Sequence, residues 1–283
     1  MTATFFLTGS ARGLGRSIAS AILEEGHQLI LEEGHQLIAT ARRPEQLDDL
    51  VRRYGDRILP VALDVADFEA AKDAVRIGID KFGRLDVVIN NAAFANVGSV
   101  EDMPLAAIQA QLNTNFLGSV RVIKAALPTL REQASGRIIQ ISSIGARIAT
   151  PGAAAYYASK WALAGFIESL AMEVGPLGIK VTALEPGGMK TDFAEDSSLT
   201  IFPSNPAYDA TAGATGQMMK SPGYLDSFAD PAEVAALIMT VAKLDEPPVR
   251  LLVGAGTHAY ATGVEQARAQ NDEGWKWLSR AVN

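Results

Sequence analysis

Tyr156 and Lys160 stand at i and i+4 in YYASK, a separation that puts two side chains on one face of a helix. A phenol ordinarily titrates near pH 10, so unaided it is a poor proton shuttle at neutral pH. An ammonium close by favours the phenolate and is expected to lower that pKa. Ser143 lies upstream, just after the apolar run GRIIQIS. Its hydroxyl can hydrogen-bond a carbonyl oxygen. A Y-x-x-x-K pair also occurs on ordinary helices, so its meaning depends on what surrounds it.

A second group of residues suits phosphate. Thr8-Gly9-Ser10-Ala11-Arg12-Gly13-Leu14-Gly15 falls between a short apolar run and a helical stretch. Glycines there allow a sharp turn and close approach to a ligand, and a helix N-terminus offers free N–H groups to a pyrophosphate. The spacing is G-x-x-x-G-x-G rather than G-x-G-x-x-G. A third signal ends the next apolar run, in Ala39-Thr40-Ala41-Arg42-Arg43-Pro44. Folds that hold NAD place an acid here to grip the ribose hydroxyls. This chain has Ala41 there, followed by Arg42, and an arginine pairs with a 2′-phosphate that an aspartate would repel. Arg12 is placed to reach the same phosphate. The expected cofactor is NADP(H).

These groups need a scaffold, and the pattern supplies one. Apolar runs at residues 4–8, 35–40, 58–65, 85–90, 136–142, 179–184 and 249–253 read as strands. Between them lie helical stretches at about 13–25, 67–82, 155–174 and 231–243. Phe68, Ala71, Val75, Ile79 and Phe82 recur at helical spacing, as do Leu163, Ile167, Leu170 and Val174. Strands apolar throughout and separated by helices predict an α/β fold: a doubly wound parallel sheet with helices on both faces. No linker divides the chain, so a single domain of residues 1–283 is expected. Ser143 then falls at the carboxyl edge of the sheet, where such folds bind ligands.

Composition narrows the function. With 283 residues, 48% hydrophobic and 20% charged, the chain has ample core-forming material. It has no cysteine, which excludes disulfides and thiolate chemistry. A net charge of −7 gives no broad basic face for nucleic acid. No apolar run is long enough to span a bilayer, and the N-terminus lacks a signal-peptide pattern. The expectation is a soluble cytoplasmic protein with no nucleic-acid or membrane partner.

Residues 23–30 read LEEGHQLI, and residues 31–38 repeat them. The unit is short and occurs twice, so it is a local duplication and not a solenoid. His27 and His35 are copies of one position, and with so few candidate ligands no metal site is expected. The glycine turn fixes the helix start and Arg42 the strand end. The extra residues should therefore be absorbed between them as a bulged loop or short helical extension, with residues 35–38 in the strand. Leu29, Ile30 and Leu31 would then be exposed, with modest loss of stability and activity retained.

Taken together, these motifs resemble the short-chain dehydrogenase/reductase family in its compact single-domain branch, over nearly the whole chain. Thr8, Gly9, Gly13 and Gly15 match its glycine motif. Asp64-Val65 matches the adenine-contacting pair, and Asn90-Asn91-Ala92-Ala93 matches N-N-A-G with Ala93 in place of the glycine. Asn115, Ser143, Tyr156 and Lys160 match its catalytic residues. Pro186, Gly187 and Thr191 match P-G-x-x-x-T, whose threonine touches the nicotinamide carboxamide. Ser10, Leu14, Asn90 and Ala92 are carried over as cofactor contacts.

The resemblance implies reversible hydride transfer between a nicotinamide and a carbonyl carbon. Tyr156 would supply the proton, Lys160 would lower its pKa and hold the ribose, and Ser143 would polarise the carbonyl. Asn115 would hold a water linking Lys160 to solvent. A lid is expected at about 192–227, where Phe193, Ile201, Phe202, Pro203, Tyr208, Met218, Met219 and Tyr224 suit an apolar small-molecule substrate. The same residues would equally serve to pack the lid onto the body. The family also implies a homodimer or homotetramer, with Ala162, Phe166 and Ser169 on an exposed stripe. Two other classes compete: a non-catalytic NADP-binding regulator, and an epimerase or dehydratase of the same superfamily.

Overall fold

The computed structural model describes residues 2–25, 34–191 and 198–282. Strand β1 (Thr4–Thr8) is buried at every position and runs into the glycine turn. Helix α1 (Gly13–Glu24) follows, then β2 (Gln36–Ala41), α2 (Asp48–Tyr54), β3 (Ile58–Ala62) and α3 (Phe68–Phe82). Asp67 caps α3 by accepting from the Ala70 N–H, and Gly83 closes it in a left-handed conformation. The chain continues through β4 (Val87–Asn90), β5 (Ala95–Val97), α4 (Leu105–Leu112) and α5 (Ser119–Glu132). Next come β6 (Gly136–Ile141), α6 (Ala154–Val174) and β7 (Ile179–Pro186). The last third holds β8 (Leu199–Ile201), α7 (Ala214–Lys220), α8 (Pro231–Val241), β9 (Arg250–Val253) and α9 (Ala255–Ser279).

Seven strands form one parallel sheet in the order β3-β2-β1-β4-β6-β7-β9. The order reverses beside β1, which puts the glycine turn and the end of β4 at the crevice where such sheets bind ligands. Alternate residues of each strand face opposite sides. Phe5, Leu7, Ile89, Ile139 and Ile141 meet α1 and α8 through Ile18, Ile22, Val234 and Ile238. Phe6, Val88 and Ile138 meet α3, α5 and α6 through Val75, Ile123 and Ile167. This is the doubly wound α/β fold expected from the sequence.

Half of the repeated segment lies outside the described residues, which exclude 26–33 and so His27, Leu29, Ile30 and Leu31. What is described agrees with residues 35–38 leading the strand: β2 begins at Gln36 and pairs with Thr4. His35 Nδ1 accepts from the Ala3 N–H at 3.1 Å, and its ring packs edge-on to Phe5. Among the described residues no group of His, Asp and Glu could hold a metal, and no helix is long and apolar enough to cross a membrane.

Two features were not foreseen. The β5 and β8 strands form a small second parallel sheet that ties residues 199–201 to residues 95–97. The other is α9, whose second half is exposed on every side. The expected stripe on α6 is only partly exposed: Ser169 is, but Phe166 is half-buried and packs edge-on to Phe116 at 6.0 Å.

Candidate active site

The glycine turn leads into α1 with no side-chain cap on the helix start. Gly9 and Gly13 adopt φ of +68° and +51°, a region that suits glycine. A Cβ on Gly15 would lie 2.0 Å from the Gly9 carbonyl oxygen, so α1 can start this close to the turn only without a side chain. Arg12, at the cap position of α1, makes no side-chain cap bond. The Asn91 amide staples the turn from the end of β4, donating to Thr8 O at 3.0 Å and Gly9 O at 3.3 Å. Thr8 Oγ1 accepts from the N–H groups of Asn91 and Ala92 at 2.9 and 3.0 Å. Thr191 lies across the turn, its Cβ 3.5 Å from where a Gly13 Cβ would be. Uncapped helix donors, positive-φ glycines and a polar residue opposite fit a dinucleotide pyrophosphate.

The other nucleotide candidates divide. Arg42 is exposed one residue beyond β2 and has no ion-pair partner among the described residues. Asp64 is exposed past β3, its carboxylate accepting from the Ala66 N–H. Val65 and Leu14 are buried, with Val65 packed where a Gly118 Cβ would be. Ser10 is fully buried and its hydroxyl donates inward to Leu7 O at 3.0 Å, so this group shapes the turn. Asn90 is buried, its amide directed at Ser119 O. Pro186 ends β7 and Gly187 follows it, and a Cβ on Gly187 would strike Thr257 Oγ1.

Ser143, Tyr156, Lys160 and Asn115 converge at the carboxyl edge. Ser143 follows β6, and its Oγ accepts from the Gly145 N–H at 3.0 Å while also hydrogen-bonding the Tyr156 phenol. Lys160 is 3% exposed. Its Nζ sits 5.6 Å from the Tyr156 ring centre and donates to Ile141 O at 3.2 Å. Asn115 lies in a π-helical turn, residues 113–118, between α4 and α5. Such insertions widen a helix and often mark functional sites. Its amide hydrogens go to Phe94 O at 2.8 Å and Ser159 Oγ at 3.2 Å, and its Oδ1 accepts from the Phe94 N–H. The Asn115 carbonyl accepts from the Ser119 hydroxyl at 3.3 Å, which leaves one Oδ1 lone pair for a water.

The electrostatics correct one expectation. Burial pushes the Tyr156 phenol up to about 12, against the lowering effect of Ser143. The expected depression by Lys160 is not seen. Desolvation penalises a phenolate more than the Ser143 bond supports it, and Lys160 is directed at a backbone carbonyl. Burial also pushes Lys160 down to about 8.

Around Tyr156 lie Ala95, Val97 and Leu199, with Ile201 and Met219 packed alongside. Tyr157 packs edge-on to Tyr156 at 5.9 Å. Within the described part of residues 192–227, the Tyr208 hydroxyl donates to Glu101 at 2.7 Å and the Asn205 N–H donates to Asp102 at 2.7 Å. Phe193 lies outside the described residues.

Sequence reasoning missed Glu185. It is fully buried just before Pro186, between Arg147 and Arg250. A carboxylate inside the apolar strand IKVTALEP is the signal that could have found it.

Residues 3–201 match the short chain dehydrogenase family, and the chain belongs to it. As a member it is an oxidoreductase that works with a nicotinamide cofactor. It is 47% identical over 283 residues to Oxidoreductase BOA17 of Botryotinia fuckeliana, covering 99% of both chains. It is 32% identical over 262 residues to a 3-ketodihydrosphingosine reductase of Bacteroides thetaiotaomicron, covering 88% of this chain and 86% of that one. A solved short-chain dehydrogenase from Streptomyces avermitilis superposes with a TM-score of 0.89 at 33% identity, over 100% of this chain and 99% of that one.

Proposed function

We propose that the protein is an NADP(H)-dependent oxidoreductase that interconverts an apolar carbonyl compound and its alcohol. The observation that carries this reading is the Ser143–Tyr156 hydrogen bond formed beside the buried Lys160 ammonium. The glycine turn, Thr191 and the Pro186–Gly187 bend are the residues that would hold the dinucleotide. Bound there, the nicotinamide supplies or accepts the hydride.

Tyr156 donates its phenolic proton to the carbonyl oxygen. A pKa raised to about 12 keeps that proton in place at pH 7, the form reduction needs. Ser143 donates a second hydrogen bond to the same oxygen. As the proton leaves Tyr156, a phenolate forms in a buried site, and the adjacent Lys160 ammonium stabilises it. Lys160 then passes a proton to the Tyr156 phenolate, and a water held by the remaining Oδ1 lone pair of Asn115, which also fixes Phe94, returns one to Lys160 from solvent. General acid–base catalysis of this kind contributes roughly 10²–10⁴ in rate.

Two further choices rest on the surroundings. Arg42 in place of an acid favours the 2′-phosphate of NADP(H). The apolar side chains packed around Tyr156 favour an apolar substrate, and the name of the Bacteroides relative puts a keto compound among the substrates of a related enzyme. The lid over the site is the segment at about 192–227. A homodimer or homotetramer is proposed, with the exposed Leu105, at the start of α4, and Leu117, beside Phe116, as part of its contact.

The test is NADPH consumption against a panel of ketones and aldehydes. Apolar carbonyl compounds should outpace small polar ones. Faster turnover of polar ones contradicts the substrate class, and no turnover of any contradicts the reductase reading.

A further inference from the structure

We infer that Glu185 is a positioning residue, a buried strut that sets the Ser143 loop against the Pro186–Gly187 bend. This rests on the functional reading above. Glu185 is 0% exposed and both its oxygens are engaged. Oε2 accepts from Arg147 Nε at 2.5 Å, and Oε1 accepts from Arg250 Nε at 2.6 Å. The two arginines approach from different segments yet grip the same loop. Arg147 ends the turn Ile144–Ala146 that follows Ser143, and Arg250 also donates to Ala146 O at 3.3 Å. Glu185 is joined directly to Pro186 and Gly187. One carboxylate therefore connects the loop bearing the group that polarises the carbonyl to the bend that would carry the nicotinamide.

Apolar side chains of similar volume often stabilise a core as well as a buried ion pair does. What the pair adds is direction. Fork-shaped guanidiniums on a carboxylate fix angles as well as distances. Hydride transfer is sensitive to displacements of an ångström, so a strut spanning the two halves of the site acts on turnover more than on binding.

Arg147 has an outer partner, Glu265 on α9, at 2.8 Å, and Arg268 of the same helix donates to the Arg147 carbonyl. These contacts are more exposed and make an internal control. Cutting the Arg147–Glu265 pair should leave the strut intact.

The experiment compares Arg147→Met, Glu185→Gln and Glu265→Gln with the wild type. Arg147→Met leaves Arg250 to neutralise Glu185, so it keeps the inference testable if Glu185→Gln does not fold. The readouts are kcat per folded molecule, NADPH affinity by fluorescence titration, and the isotope effect with 4-deuterated NADPH. Arg147→Met should lower kcat at least tenfold, leave NADPH affinity within about twofold and enlarge the isotope effect. Glu265→Gln should match the wild type. A purely structural pair would lower the melting temperature while kcat per folded molecule stayed within twofold, and that result overturns the inference.

Amide exchange separates this from the functional reading. The N–H groups of Ala146 and Ile148 donate to Ser143 O and Ile144 O. They should exchange faster in Arg147→Met, and unchanged protection overturns the strut even if wild type reduces no carbonyl compound. Wild-type inactivity on every carbonyl compound would count against the reductase reading alone.

Discussion

Lys160 lies 5.6 Å from the centre of the Tyr156 ring, and its ammonium donates to the Ile141 carbonyl. The two groups titrate in opposite directions from their ordinary values, both through burial: the phenol rises to about 12 and the ammonium falls to about 8. At neutral pH the raised phenol keeps its proton and the ammonium stays mostly charged despite its fall, the two states that carbonyl reduction requires.

The first prediction concerns pH and rate. Lys160 supports the phenolate only while charged. With saturating NADPH, the reduction rate should hold from pH 6 to 7 and fall as pH rises through about 8. A flat profile to pH 10 in a stopped-flow assay would show that Lys160 does not act through its charge.

Stability gives a second test of the same group. The folded-state pKa of Lys160 is below its unfolded value of 10.5. Between pH 8 and 10 the unfolded chain therefore binds more protons, and stability rises with pH. The full shift corresponds to about 3 kcal/mol. Above pH 10 the raised Tyr156 pKa opposes the gain, because the folded state then retains the extra proton. Lys160→Met should be inactive, unfold at higher temperature at pH 7, and lack the rise between pH 8 and 10. Calorimetry on both proteins checks this, and an equal rise in the variant would refute it.

Cofactor choice is the third. Arg42→Ala should weaken NADPH binding by roughly 10–100-fold, the range for lost charge-assisted hydrogen bonds, and leave NADH nearly unchanged. Equal losses for both dinucleotides, in a fluorescence titration, would remove Arg42 from 2′-phosphate recognition.

The glycine turn supplies the fourth. A Cβ on Gly15 would sit 2.0 Å from a backbone oxygen and 2.6 Å from the Asn91 amide. Neither the turn nor its staple can yield easily. Gly15→Ala should lower stability by about 1–3 kcal/mol and abolish NADPH binding. Wild-type affinity by calorimetric titration would contradict this account of the turn.

The main sheet was legible because its strands are apolar throughout and its helices carry regular stripes. The residues of the candidate site were legible because glycine, tyrosine, lysine and serine occur at spacings few other purposes need. The two-stranded sheet was not, since Ala95-Asn96-Val97 and Leu199-Thr200-Ile201 are too short to show a period. Helix α9 has Ala261 buried but no apolar stripe in its second half, so hydrophobic periodicity gave no signal. Glu185 was hidden because its partners, Arg147 and Arg250, come together only in the folded chain. The rise in the Tyr156 pKa depends on burial, which the i,i+4 spacing to Lys160 does not reveal.

The most direct test of the central claim is Tyr156→Phe, assayed for both NADPH affinity and carbonyl reduction. The ring is retained and one hydroxyl is lost. The account predicts NADPH binding within about twofold of wild type and turnover reduced by roughly 10²–10⁴. Turnover at the wild-type rate in that variant would show that the phenol of Tyr156 is not the proton donor.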